Sequence, residues 1–190
     1  VSHVYLSPYL ASTPDSAHGY DIVDPDRVRE ELGGEEARAR FVAKMRALGL
    51  KQMIDIVPNH LGIDSEHNRY FWDVLERGRD SEWCRFFDID WDAHGDGKLV
   101  LPILPMPLES AIAEQHVTLR PYKKGVALFV GERALPLSKE SQALVANEAA
   151  LANAREPEGL HALLERQHYR LRYFRDGLDE LNYRRFLDIA

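Results

Sequence analysis

The apolar positions of the chain fall first in short runs and then at helical spacing. Residues 1–6, VSHVYL, form a β-rich run closed by Ser7 and Pro8. A run of this kind, bounded by turn residues, reads as a buried strand. Between residues 35 and 48, Phe41, Val42, Met45 and Leu48 recur on one face of a helix. Glu35 and Glu36 suit the positive end of its dipole, and Gly49 suits its C-cap. Residues 50–60, LKQMIDIVPNH, then place Met53, Ile54, Ile56 and Val57 around Asp55. This reads as a second buried strand, ended by Pro58, which has no N–H to continue a ladder. Strand, loop, helix, strand is a βαβ unit; its strands run parallel and both post-strand loops open on one edge. His18, Tyr20, Asn59 and His60 are expected to converge there, at the carboxyl ends of the strands, where α/β enzymes place their chemistry. The intervening loop, residues 9–34, holds Pro14, Gly19, Pro25 and the Gly33–Gly34 pair. It is expected to carry function without regular structure.

Beyond residue 61 the pattern changes. Residues 68–76 (NRYFWDVLE) suit a short helix, and residues 83–91 (WCRFFDIDW) are dense in aromatics that read as core. Residues 99–104 are strand-like, and residues 126–130 and 133–137 flank Gly131 and Glu132 as a hairpin. Residues 138–153 are expected to be helical, and so are residues 159–175, on an apolar face of Leu160, Leu163, Leu164, Leu171 and Phe174. The expected fold class is α/β. Residues 1–61 form the strand–loop–helix–strand portion, residues 62–156 an inserted α+β subdomain, and residues 157–190 a helix and a segment returning to the first portion.

Composition narrows the function. The formal charge of −7 disfavours nucleic acid and anionic membranes, both of which attract clustered Lys and Arg. No run approaches the length needed to span a bilayer, which is about 18 apolar residues. One cysteine, Cys84, cannot form an intrachain disulfide, and no secretory signal is visible; a cytoplasmic location is expected. The chain begins at Val1, within a strand-like run and without an initiating Met. It is therefore expected to be a fragment of a longer protein.

Three stretches resemble the α-amylase superfamily of (β/α)8-barrel enzymes. DIVPNH, residues 55–60, is similar to that family's motif at the end of the third barrel strand. HGYD, residues 18–21, is similar to the loop after the second strand, and the insertion after His60 sits where the family carries an extra domain. More narrowly, SPYLASTPDSAHGYDIVDP, RFFDIDW, LLERQHYRL and ELNYRRF together resemble the maltooligosyl trehalose synthase family. The resemblance implies a partial (β/α)8 barrel, about its strands 2–3 with flanking helices; a full barrel needs about 250 residues. It implies a parent enzyme that is a glucosylmutase-type isomerase. That enzyme converts the reducing-end α-1,4 linkage of a maltooligosaccharide to α,α-1,1 by intramolecular transglycosylation. A trehalose-releasing hydrolase is the implied functional partner. The alternatives are an α-glucan hydrolase of the same superfamily and a catalytically inert sugar-binding fragment.

Retaining chemistry on a glycosidic bond needs two carboxyl groups roughly 5 Å apart. The resemblance places these, and a stabilising Asp, after later barrel strands. No catalytic residue is therefore assigned in this chain, which is expected to be inactive alone; Asp21, Asp24 and Asp55 do not match the family's catalytic carboxylates. Tyr20 matches the ring that stacks on the transferred sugar, where an aromatic face meets apolar C–H groups. His18 and His60 match histidines that bond that sugar's hydroxyls. Asp55 and Asn59 are expected to support them by orienting neighbours and fixing the loop. Asn182, Tyr183, Arg184 and Arg185 either line the acceptor side or cover a barrel rim. No cofactor and no metal are expected: calcium wants six to eight oxygen ligands, and His60, Asp64 and His67 fit no zinc pattern.

Overall fold

The computed structural model describes residues 1–58, 60–63 and 66–183. They fall into two compact units, residues 1–69 and 70–183.

In the first unit, β1 (His3–Leu6), β2 (Leu10–Ser12), β3 (Ile22–Val28), α1 (Gly34–Ala47) and β4 (Lys51–Ile54) follow in order. β1 and β4 pair in parallel with Tyr5 opposite Met53 and Leu6 opposite Ile54. The ladder continues past both strands, through Lys51 N–H to Ser2 C=O at 3.0 Å and Asp55 N–H to Leu6 C=O at 2.9 Å. α1 packs against β3 and β4. It ends as its sequence predicts: Gly49, at φ 66°, donates to Arg46 C=O, and Leu50 N–H returns to Met45 C=O.

Two expectations change here. The loop over residues 9–34 contains an antiparallel β2–β3 hairpin, with register shifts at Leu10/Ala11 and Ala11/Ser12. Pro25 sits inside β3 and is exposed, a position where a missing N–H is tolerated. The strands read as buried are half open. Tyr5, Met53 and Ile56 are all more than half exposed, and of the expected helix face only Met45 is buried. Along both strands exposed residues alternate with half-buried ones, so the face that carries Tyr5 and Met53 is the open one.

The second unit begins with α2 (Arg69–Arg77), whose Tyr70, Phe71, Val74 and Leu75 are buried on one face. β5 (Leu99–Leu104) pairs in parallel with β9 (Tyr169–Tyr173), and Leu99, Val100, Leu104 and Tyr169 are almost wholly buried. α3 (Leu108–Ala113) leads into an antiparallel sheet of β6 (Val117–Tyr122), β7 (Gly125–Val130) and β8 (Arg133–Pro136). The predicted 138–153 helix is two helices, α4 (Lys139–Leu144) and α5 (Glu148–Arg155). Asn147 restarts the chain by accepting Ala150 N–H at 2.9 Å as an N-cap.

The predicted 159–175 helix is corrected too. α6 (Pro157–Leu164) stops at Leu164, and residues 169–173 become β9. YRLRY alternates, with Tyr169 and Leu171 buried, so its period is that of a strand. Because β9 pairs with β5, residues 62–156 and 157–183 contribute to one sheet. A buried polar network ties this turn down: Gln167 accepts Ser138 N–H at 2.8 Å and donates to Ser141 Oγ at 2.9 Å. α7 (Phe174–Gly177) closes the described helices.

Candidate functional site

Parallel pairing brings the carboxyl ends of β1 and β4 to one edge, and the site lies there. Side chains on a strand alternate between faces, so Asp55, just past β4, shares a face with Met53. Met53 opposes Tyr5, and Tyr5 is therefore the diagonal neighbour of Asp55. Its phenol donates to Asp55 Oδ2 at 2.5 Å. The Tyr20 phenol, from the loop between β2 and β3, donates to the same oxygen at 2.8 Å.

Each partner holds the other's protonation state. The Tyr5 phenol first, and then the Tyr20 phenol, keep the Asp55 carboxyl below the usual carboxylate range. The Asp55 hydrogen bond pushes both phenols above the ordinary tyrosine value. Asp55 is thus an anion and the two tyrosines are neutral donors across the physiological range.

The loop that carries Tyr20 is built from its own side chains. Thr13 N–H bonds Asp21 C=O at 3.0 Å, and Ser16 Oγ–H donates to Asp21 Oδ1. Ser16 Oγ in turn accepts Gly19 N–H at 3.0 Å, and Arg29 holds Ser16 C=O at 2.8 Å. Gly19 adopts φ 75°, and a Cβ there would meet Pro8 C=O at 3.0 Å. At the tip, His18 Nδ1 accepts Tyr20 N–H at 3.0 Å. That fixes Nδ1 as an acceptor in this tautomer, with the proton on Nε2. The His18 and Tyr20 rings stack with centroids 5.7 Å apart and planes 22° apart. His18 Nδ1 also lies 3.7 Å from Asp21 Oδ1.

His60 is half-buried, two residues before Gly62. Gly62 N–H bonds Ile22 C=O at 2.7 Å, so the post-β4 segment is tied to the strand that follows Tyr20. A Cβ at Gly62 would meet Asp21 C=O at 3.0 Å, and the approach requires glycine. The structure thus brings His18, Tyr20 and Asp55 together at the edge and sets His60 on the adjoining segment. Asn59, Asp64, Arg184 and Arg185 lie outside the described residues.

The remaining predicted site residues are placed otherwise. Asn182 is buried in the second unit: Oδ1 accepts Val100 N–H at 3.0 Å, while Nδ2 donates to Asp90 C=O at 2.9 Å and to Lys98 C=O at 2.8 Å. Tyr183 is buried too, bridging Ile89 and touching the Phe71 ring. Both side chains are enclosed by the fold, and three of the four hydrogen bonds that the Asn182 amide can make go to backbone groups. Sequence reasoning missed Tyr5. It lies in β1 opposite Met53, two residues before the Asp of DIVPNH, which only the strand register shows. Among the described residues, no group of three or more His, Cys, Asp or Glu is arranged to hold a metal ion. No helix among them is long and apolar enough to cross a membrane.

Residues 1–118 match the alpha-amylase catalytic domain family. The whole chain is 41% identical to a putative maltooligosyl trehalose synthase of Mycobacterium tuberculosis, of which it spans 22%. A malto-oligosyltrehalose trehalohydrolase of Arthrobacter ramosus is 37% identical over 47% of the chain. Among solved structures, maltooligosyltrehalose synthase from Arthrobacter ramosus superposes with a TM-score of 0.75 at 35% identity, over 97% of this chain and 22% of that one. The chain therefore spans about a fifth of the length of the synthases it matches.

Proposed function

The chain belongs to the alpha-amylase catalytic domain family, and on that premise we propose that it is the sugar-holding segment of a larger intramolecular transglycosylase. The parent converts the reducing-end α-1,4 linkage of a maltooligosaccharide to α,α-1,1. One observation carries this reading over an α-glucan hydrolase: the likeness to the synthase runs through all 191 aligned residues, whereas that to the trehalohydrolase stops at 90. Residues 1–61 are the second and third strands of a (β/α)8 barrel with their helix, residues 62–156 an insertion, and residues 157–190 the return to the barrel.

Within that assignment, Tyr20 stacks on the sugar being transferred. Its phenol is tied to an anion, so the ring is held at one end while its face stays available; Tyr20 is 38% exposed. His18 Nε2–H and the His60 imidazole bond the hydroxyls of that sugar. Such bonds strengthen as the ring flattens toward an oxocarbenium ion. The nucleophile, the acid and the stabilising Asp come from the remainder of the barrel. Transfer without hydrolysis requires the freed glucose to remain in place and water to stay out. A trehalose-releasing hydrolase consumes the product, and a cytoplasmic setting accompanies this role.

The test is incubation of the full-length parent with maltopentaose. A product of unchanged length that has lost its reducing end is expected. Shorter reducing sugars as the main product would assign the parent to the hydrolases, and no turnover would leave an inert binding fragment.

A further inference from the structure

We propose that Tyr5 is a positioning residue of this site, acting on Tyr20 through Asp55. The inference rests on the reading above, that Tyr20 stacks on the transferred sugar. Tyr20 belongs to a loop, and its hydroxyl has a single described partner, Asp55 Oδ2. Asp55 lies beyond the last paired residue of β4, where its N–H bonds Leu6 C=O at 2.9 Å. A carboxylate at that position has rotameric freedom, and a second contact must select one orientation. Tyr5 supplies it from within the paired β1, at 2.5 Å on the oxygen that Tyr20 also uses. The phenol carried by the paired strand thus helps set the carboxylate, and the carboxylate holds the phenol carried by the loop. Two donors on one oxygen also keep the carboxylate ionised, and an anion accepts a phenol more strongly than a neutral acid does.

The arrangement separates Tyr5 from a filling role. Tyr5 is 63% exposed, so its ring fills no core of this unit, and its hydroxyl is the part with a defined partner. The described hydrogen bonds link Tyr5 to the His18–Tyr20 stack through Asp55 Oδ2, which both phenols share.

The experiment is a double-mutant cycle in the full-length parent with Tyr5→Phe, Tyr20→Phe and the pair, read as kcat and KM on maltopentaose. Loss of one charge-assisted hydrogen bond is expected to lower kcat about three- to tenfold in Tyr5→Phe. KM should stay within about twofold, with an unchanged melting temperature. In the pair, the Tyr5 change should add nothing to the Tyr20→Phe effect, because the hydroxyl it positions is gone. A Tyr5→Phe enzyme with wild-type kcat, or a pair whose losses multiply, would overturn the proposal. The identity of the wild-type product tests the assigned reaction separately: the cycle is scored on whichever product forms, so a hydrolytic parent would sink that reading while still deciding Tyr5.

Discussion

Replacing Asn182 by Ala decides whether this residue holds the fold or touches sugar. The substitution orphans Val100 N–H, which belongs to a residue with no exposed surface, and removes donors from Asp90 and Lys98 C=O. A buried donor left without a partner costs about 1–3 kcal/mol, and each neutral hydrogen bond contributes about 0.5–1.5 kcal/mol net. Asp90 and Lys98 lie near solvent, so water recovers part of their loss. The expected destabilisation is therefore about 2–4 kcal/mol. For a chain of this size that lowers the melting temperature by roughly 4–16 °C. Asn182→Asp should do no better, since a carboxylate accepts from Val100 N–H but cannot donate to two carbonyls and brings a buried charge. Thermal unfolding followed by circular dichroism is the assay. A variant within about 0.5 kcal/mol of wild type that instead raises KM in the parent enzyme would refute the structural role and restore the acceptor-side one.

Tyr20→Ala in the parent should slow transfer about tenfold or more and raise the share of free glucose, read by product chromatography; an unchanged rate and product ratio would remove the stacking role. Asp55→Asn tests the coupled titration. The lowered carboxyl gives its stabilisation in full above about pH 4 and loses it as pH falls through the lowered value, while the raised phenols give theirs below about pH 10 and lose it above. Asparagine should therefore move part of the tyrosinate absorbance titration to lower pH, and a superimposable curve would contradict the shared contact. Gly19→Ala forces a side chain into a left-handed position against Pro8 C=O and should destabilise the loop by about 1–2 kcal/mol. Faster amide exchange at position 19 and at Tyr20 is the readout.

The parallel β1–α1–β4 unit was legible because its signals agree: β-rich runs closed by proline, a helix with acidic start and glycine end, and a connection too long for a hairpin. The convergence of both loops followed from topology alone. What escaped the pattern did so for identifiable reasons. β2 is three residues long and pairs with two register shifts, so LAS and IVDPDRV carry no regular alternation to detect. Leu171 and Phe174 continue the helical spacing of Leu160 and Leu164, and that coincidence hid the period-2 signal of YRLRY. Asn182 sits in a polar stretch beside paired arginines and looked exposed; only tertiary packing shows its amide enclosed by β5 and residue 90. The family motif pointed to Tyr20 and to Asp55 as its support, but the second phenol, Tyr5, required the strand register.

A crystal structure of the full-length parent with a bound maltooligosaccharide tests the account most directly. One glucose ring should lie in contact with the face of Tyr20, its hydroxyls within hydrogen-bond reach of His18 and His60, with Tyr20 still bonded to Asp55. A glucan seated elsewhere, with those three side chains facing solvent, would contradict the assignment of this edge as the sugar-holding surface.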